Sequence, residues 1–213
     1  MQGRPLMKSH YYTFNNEMMS AVTHAFALGL AVVGTVALAF KATTPLRLVS
    51  FLGFGIALII LYTGSTLFHG FYFTKARHVL QVIDHSGVFI LIAGSYLPYC
   101  LVAIGGKLGI GLLIAIWLLC AAGIAYKLFF LGRFRGLETG IYVVLGWMCL
   151  VGMKPLWDNL GPWGFWLLVA GGVAYTFGAL LYSQKTIPYI HVIWHLFVML
   201  GSACMYASIY LFV

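Results

Sequence analysis

Two histidines four residues apart, His191 and His195, lie at the start of an apolar stretch near the end of the chain. On a helix their imidazoles would face the same side about one turn apart, an arrangement that often holds zinc. In hydrocarbon, two unpaired imidazoles would each cost several kcal/mol, which disfavours simple packing. His69, at the end of another apolar stretch, lies at a matching depth. The sequence therefore predicts a zinc site formed by His69, His191 and His195.

Two further polar residues predict that this zinc is catalytic. Three imidazoles leave a fourth position for water, which zinc can ionise near neutral pH. Asp84, early in a third apolar stretch, is predicted to accept a proton from that water, although a carboxyl that only joins two helices would look the same. Ser65, one turn before His69, is predicted to donate a hydrogen bond to the water or to an oxyanion. The alternative is a serine bonded to its own helix carbonyl.

A third polar group lies at the start of the first apolar stretch. Glu17, Ser20 and His24 are spaced three and four residues apart and so share one helix face. They predict an outer polar layer of the same cavity, with Glu17 alternatively a favourable charge at a helix start. Direct ligation by His24 is not expected. His85, beside Asp84, would point about 100° away around the helix and is predicted to be a neighbour of the site.

The composition places these residues in a membrane. Of 213 residues, 62% are hydrophobic and 8% are charged, which leaves too little polar surface for a soluble domain. A membrane-spanning helix needs roughly 20 apolar residues. We therefore predict an all-α membrane protein, with a segment 1–17 followed by one transmembrane domain, 18–213. Its seven predicted spans are 18–40, 47–69, 79–103, 108–130, 139–154, 162–183 and 190–213.

Basic residues predict the orientation of this bundle. With seven spans, one side collects seven basic residues and the other collects four, which favours a cytoplasmic N-terminus and an outside C-terminus. The larger set is Arg4, Lys8, Lys75, Arg77, Arg133, Arg135 and Lys185, and the smaller is Lys41, Arg47, Lys107 and Lys154. Lys127 would add to the larger set if it reaches the surface. Because the charges are scattered, membrane lipid is the expected partner and nucleic acid is not.

Four segments that contain these residues resemble the hemolysin III family, bacterial relatives of the progestin and adiponectin receptors and, more distantly, of alkaline ceramidases. They are Glu17 to His24, Ser65 to His69, Val82 to Pro98 and Ile187 to His195. The resemblance implies a seven-helix bundle of the cell (inner) membrane with its N-terminus inside. It also implies zinc on the three histidines, Asp84 and Ser65 beside the metal, and hydrolysis of an amide bond in a lipid.

Three functions fit these expectations. The first is a zinc-dependent hydrolase of a membrane lipid amide or ester, with zinc-bound water as nucleophile and Asp84 as base. The second is a hemolysin or pore, which the sequence disfavours because no predicted span carries the repeated polar face of a conduit. The third is a receptor-like or membrane-homeostasis protein in which zinc is structural.

Overall fold

A computed structural model describes residues 10–130, 135–184 and 186–213, with side chains described over 10–129, 139–184 and 186–213. All regular structure within these residues is helical. The α-helices are α1 (His10–Lys41), α2 (Pro45–Gly70), α3 (Arg77–Pro98), α4 (Gly106–Phe130), α5 (Arg135–Trp147), α6 (Met153–Ser183) and α7 (Ile190–Phe212). A π-helix, Tyr99–Ile104, continues α3, and a 3₁₀ helix, Met148–Gly152, joins α5 to α6.

The described residues confirm an all-helical, multi-pass membrane protein. Six helical segments are long and apolar enough to cross a bilayer. Large apolar side chains such as Phe40, Leu118 and Trp163 face outward, whereas Glu17 and Asp84 are buried. This distribution is the one expected where lipid replaces water as the solvent. Several parts of the sequence predictions lie outside the described residues: residues 1–9 of the predicted segment 1–17, and the side chains of Arg4, Lys8, Arg133, Arg135 and Lys185.

Helices α2 and α3 form the most extensive helix pair in the described structure. Glycines allow the close approach, since a Cβ at Gly94 would collide with the Cβ of Ala57, and a Cβ at Gly87 would press on Leu61. Small residues let membrane helices approach in this way. At Gly64 the backbone of α2 runs next to that of Asp84 on α3. The close pairing therefore places the polar end of α2 beside Asp84.

The chain between α5 and the end of α6 differs from the predicted pair of runs, 139–154 and 162–183. Residues 155–161 were expected to connect those runs. In the structure α6 begins at Met153, so most of these residues are helical. The helix is interrupted at Gly161, whose φ of 64° and ψ of 177° are accessible almost only to glycine. Pro162 then starts the next helical section, a position where its missing N–H costs little.

Candidate metal centre

The structure brings His69, His191 and His195 together from the end of α2 and the start of α7. One nitrogen of each ring lies within 4.8 Å of the other two, so the group could hold a metal ion. The Nε2 atoms of His69 and His191 are 3.0 Å apart. His191 and His195 are successive-turn neighbours on α7, with ring centroids 4.7 Å apart. His69 and His195 are buried, and His191 is half-buried.

Residues of helix α1 fix the orientation of two of these rings through contacts with their Nδ1 atoms. The Nδ1 atom of His69 lies 2.7 Å from a carboxylate oxygen of Glu17, and the Nδ1 atom of His195 lies 3.2 Å from the backbone carbonyl oxygen of Ser20. Both partners are acceptors, which favours the tautomer with the hydrogen on Nδ1 and the lone pair on Nε2, toward the other histidines. Carboxylate and carbonyl partners of this kind typically orient histidines that bind metal.

The donor set fits a zinc ion. Zinc binds imidazole nitrogen at about 2.0–2.1 Å, so two ligands at a tetrahedral angle lie about 3.3 Å apart. The 3.0 Å between the Nε2 atoms of His69 and His191 is close to that separation. In His69 and His195, the ring nitrogen that faces away from the other histidines, Nδ1, also lies within hydrogen-bond distance of an acceptor. The residues present therefore suit a three-histidine metal site.

The buried face of α1 explains how these contacts form. Glu17, Ser20 and His24 are followed on the same face by Ala27 and Ala31. The small alanine side chains allow α1 to pack closely on its neighbours. The three polar residues precede the alanines on this face and lie next to the histidines. Glu17 is thus a direct partner of His69, whereas Ser20 acts through its carbonyl, and its buried hydroxyl has no hydrogen-bond partner among the described residues.

Ser65 and Asp84 lie beside this group and line the cavity described below. Asp84 is 9% exposed and lies close to both His69 and Ser65. The Ser65 hydroxyl is buried, and the Asp84 carboxyl is its polar neighbour. Both polar groups therefore face the space next to the histidines.

Three residues near the site were not assigned to it by the sequence. The hydroxyl of Thr23 lies 3.4 Å from Nδ1 of His195, and the ring of Tyr182 meets His191 edge-on at 5.4 Å. Lys127 is fully buried, with Nζ 3.2 Å from Nδ1 of His85, so it does not extend to the surface. Its position one turn before the end of an apolar run gave no signal for this contact, because the partner is on another helix.

A cavity of about 160 Å³ extends from the histidines into the bundle between α3, α5, α6 and α7. His24, Ser65, Asp84, His191 and His195 are at its polar end. The remaining wall is mostly apolar and aromatic. It includes Leu91, Ile92, Leu168, Trp194, Val198 and Met205.

Comparison with known proteins adds the family context. A family described as haemolysin-III related matches residues 12–206. The chain is 40% identical to the hemolysin-3 homolog of Bacillus subtilis (strain 168), over 92% of this chain and 93% of that protein. It is 38% identical to hemolysin-3 of Bacillus cereus, over 92% and 91%. Human monocyte to macrophage differentiation factor is 28% identical over 88% and 80%. No solved structure matches the chain.

Proposed function

The chain belongs to the haemolysin-III related family, and on that premise we propose that it is a zinc-dependent hydrolase of an amide or ester bond in a membrane lipid. One observation carries the proposal. A histidine group suited to a metal adjoins a buried carboxyl and a buried hydroxyl at the polar end of a largely apolar cavity. Metal, base and apolar pocket together are the parts that hydrolysis of a lipid requires.

Each polar residue has a role in this proposal. His69, His191 and His195 hold the zinc, which when bound supplies Lewis-acid activation of water near neutral pH. Glu17 keeps the His69 ring in place through its 2.7 Å contact. Asp84 accepts the proton that the attacking water releases, and Ser65 donates a hydrogen bond to the oxygen on which negative charge develops.

The cavity supports a lipid as the substrate. Its wall away from the histidines is mostly apolar and aromatic and would receive an acyl chain, while the reacting bond lies among the polar residues. A pocket of this kind buries apolar surface and uses a few polar groups to fix orientation. The substrate class in this proposal is therefore an acyl lipid, drawn from the surrounding membrane.

The proposed topology follows from the length of one segment. Residues Thr139–Ser183 form a helical stretch of 45 residues, which as one straight α-helix at 1.5 Å per residue would be about 68 Å long. The hydrocarbon core is only about 30 Å thick. We place the boundary between two spans at the break at Gly161. This gives seven spans, with the N-terminus and metal site toward the cytoplasm and the C-terminus outside, in the cell (inner) membrane.

Metal analysis and lipid hydrolysis test the proposal together. Purified wild type is expected to contain about one zinc per chain, which His69→Ala, His191→Ala and His195→Ala lose. The exposed His78 offers a matched control, because His78→Ala removes an imidazole outside the site. Asp84→Asn is expected to keep zinc and abolish hydrolysis of a panel of lipid amides and esters. A folded wild type without zinc, or loss of zinc in Asp84→Asn, would contradict the proposal.

The names of the two Bacillus relatives, both hemolysins, support a second candidate, a protein that permeabilises membranes. Ion flux through purified protein in liposomes separates the two functions. Flux that survives His191→Ala would favour a conduit independent of the metal. The hydrolase proposal expects no flux in wild type at any protein density.

A further inference from the structure

One buried imidazole at the metal end of the cavity has no role in the proposed chemistry. His24, on α1, is 3% exposed and forms part of the cavity wall together with Ser65 and Asp84. Within the described residues, neither of its ring nitrogens makes a hydrogen bond of good geometry, and the polar group that acts on the ring is the backbone of His195. A buried polar group without a partner costs stability, so a residue of this kind is retained for another reason.

Two aromatic neighbours hold the His24 ring in one orientation. Its face stacks on His195, with centroids 3.5 Å apart and planes 5° from parallel. The ring of Tyr62 lies 5.0 Å away, at an interplanar angle of 69°. Because ring nitrogens donate and accept hydrogen bonds in the plane of the ring, stacking on His195 does not use them. The stacking thus fixes the plane in which the ring nitrogens of His24 can form a hydrogen bond.

His24 does not belong to the metal-holding group, which comprises His69, His191 and His195. His195 is oriented by the Ser20 carbonyl oxygen, so it does not depend on a hydrogen bond from His24. A neutral imidazole offers one N–H donor and one lone pair. The carbonyl oxygen of an amide or ester, and the carboxylate that hydrolysis leaves, are acceptors for such a donor.

We propose that His24 is a substrate-binding residue, whose ring N–H donates a hydrogen bond to the acyl oxygen of the lipid next to the reacting bond. This inference rests on the proposed function for its substrate class, and adds a contact outside the metal ligands, the base and the oxyanion donor. It also explains why an imidazole, and not an apolar ring, stacks on His195 in a bilayer.

The test compares two substitutions at this position in the full-length, zinc-loaded protein. His24→Phe keeps a flat ring that can stack on His195 but removes both nitrogens. His24→Gln keeps a side-chain donor without the ring. The probe is radiolabelled palmitate, the chemical class of acid that hydrolysis would release. Zinc content and the thermal unfolding midpoint are measured on the same samples, and His78→Phe at an exposed site is the matched control.

We expect His24→Phe to keep its zinc and unfolding midpoint and to bind palmitate roughly tenfold more weakly, as for loss of one hydrogen bond to a charged group. His24→Gln should retain most of the affinity. Wild-type affinity in His24→Phe, equal weakening in both variants, or loss of zinc would overturn the inference, since His24 would then only support packing. If His24→Phe does not fold, His24→Leu replaces it with the same expectations.

Failure of this inference is distinguishable from failure of the proposed function. Palmitate binding is read without turnover, so a wild type that hydrolyses no lipid can still show binding that depends on His24. In that outcome the hydrolase proposal fails and the binding residue stands. A hydrolytic wild type whose His24→Phe variant binds and turns over normally gives the reverse result.

Discussion

The two sides of the bundle are built differently. On the side formed by α1, α2, α3 and α7, helices approach through glycine and alanine, and polar residues contact one another across helix boundaries. Around α5, the chain is interrupted by the 3₁₀ helix Met148–Gly152 and then by Gly161, whereas α6 beyond this break packs closely on α7. Within the described residues, α5 contacts its neighbours far less than α2 does.

A metal site beside a ligand cavity would have two different requirements for helix packing. Metal ligands must be held within a fraction of an ångström, which calls for close helix packing and fixed hydrogen bonds. A cavity needs the opposite, a region where helices do not interdigitate completely. The protein meets both requirements by placing the candidate metal ligands where α2 and α7 face α1, and the cavity beside α5, whose contacts with its neighbours are few.

The largest expected effect comes from overpacking the closely packed side. In Gly94→Ala the new Cβ would collide with Ala57 and approach the carbonyl oxygen of Gly53. We expect a loss of up to about 3 kcal/mol in the free energy of unfolding, measured by thermal or denaturant unfolding in detergent. Gly29→Ala is the matched control, because nothing lies within 4 Å of its new Cβ. Equal stability of the two variants would contradict close α2–α3 packing.

A smaller effect is expected from the acceptor behind His69. Glu17→Gln keeps the size of the side chain but removes the charge that fixes Nδ1 of His69. Loss of such a partner typically lowers metal affinity about 10–100-fold, which competition with a zinc chelator measures. Asp158→Asn supplies the control, since this exposed carboxylate pairs with Lys154 on the surface. If Glu17→Gln binds zinc as tightly as wild type, Glu17 does not contribute to metal binding.

The smallest effect is expected at the break in α6. Gly161→Ala forces a Cβ into a backbone conformation with φ of 64°, which should cost about 1–2 kcal/mol of unfolding free energy. Gly146→Ala, in α5, has nothing within 4 Å of its new Cβ and serves as the control. Zinc content should be unchanged in both, because neither residue contacts the histidines. Loss of zinc in Gly161→Ala would show that the two sides are coupled.

Much of the architecture was predictable from the sequence because a bilayer imposes simple rules. A helix must be long enough to span the hydrocarbon and must satisfy its own backbone hydrogen bonds. Long apolar runs therefore predicted the membrane-spanning helices. The four segments that resemble the hemolysin III family predicted the family, and this prediction is confirmed. The grouping of His69 with His191 and His195 followed from helical spacing and depth in the membrane, and the described structure brings the three together.

Other features depend on contacts between helices, which sequence periodicity does not encode. Spacing within α1 showed that Glu17 and His24 share a face, but only packing decided that Glu17 reaches His69 and that His24 stacks on His195. Lys127 lies near the end of an apolar run, from which its side chain could have reached the membrane surface. In the structure it contacts His85 on α3 instead. The sequence by itself determined membrane insertion, helical segments and candidate ligands, because these depend on hydrophobicity and spacing along one chain. Tertiary structure decided the partners of each polar group and the position of the cavity, because both depend on how closely neighbouring helices can approach.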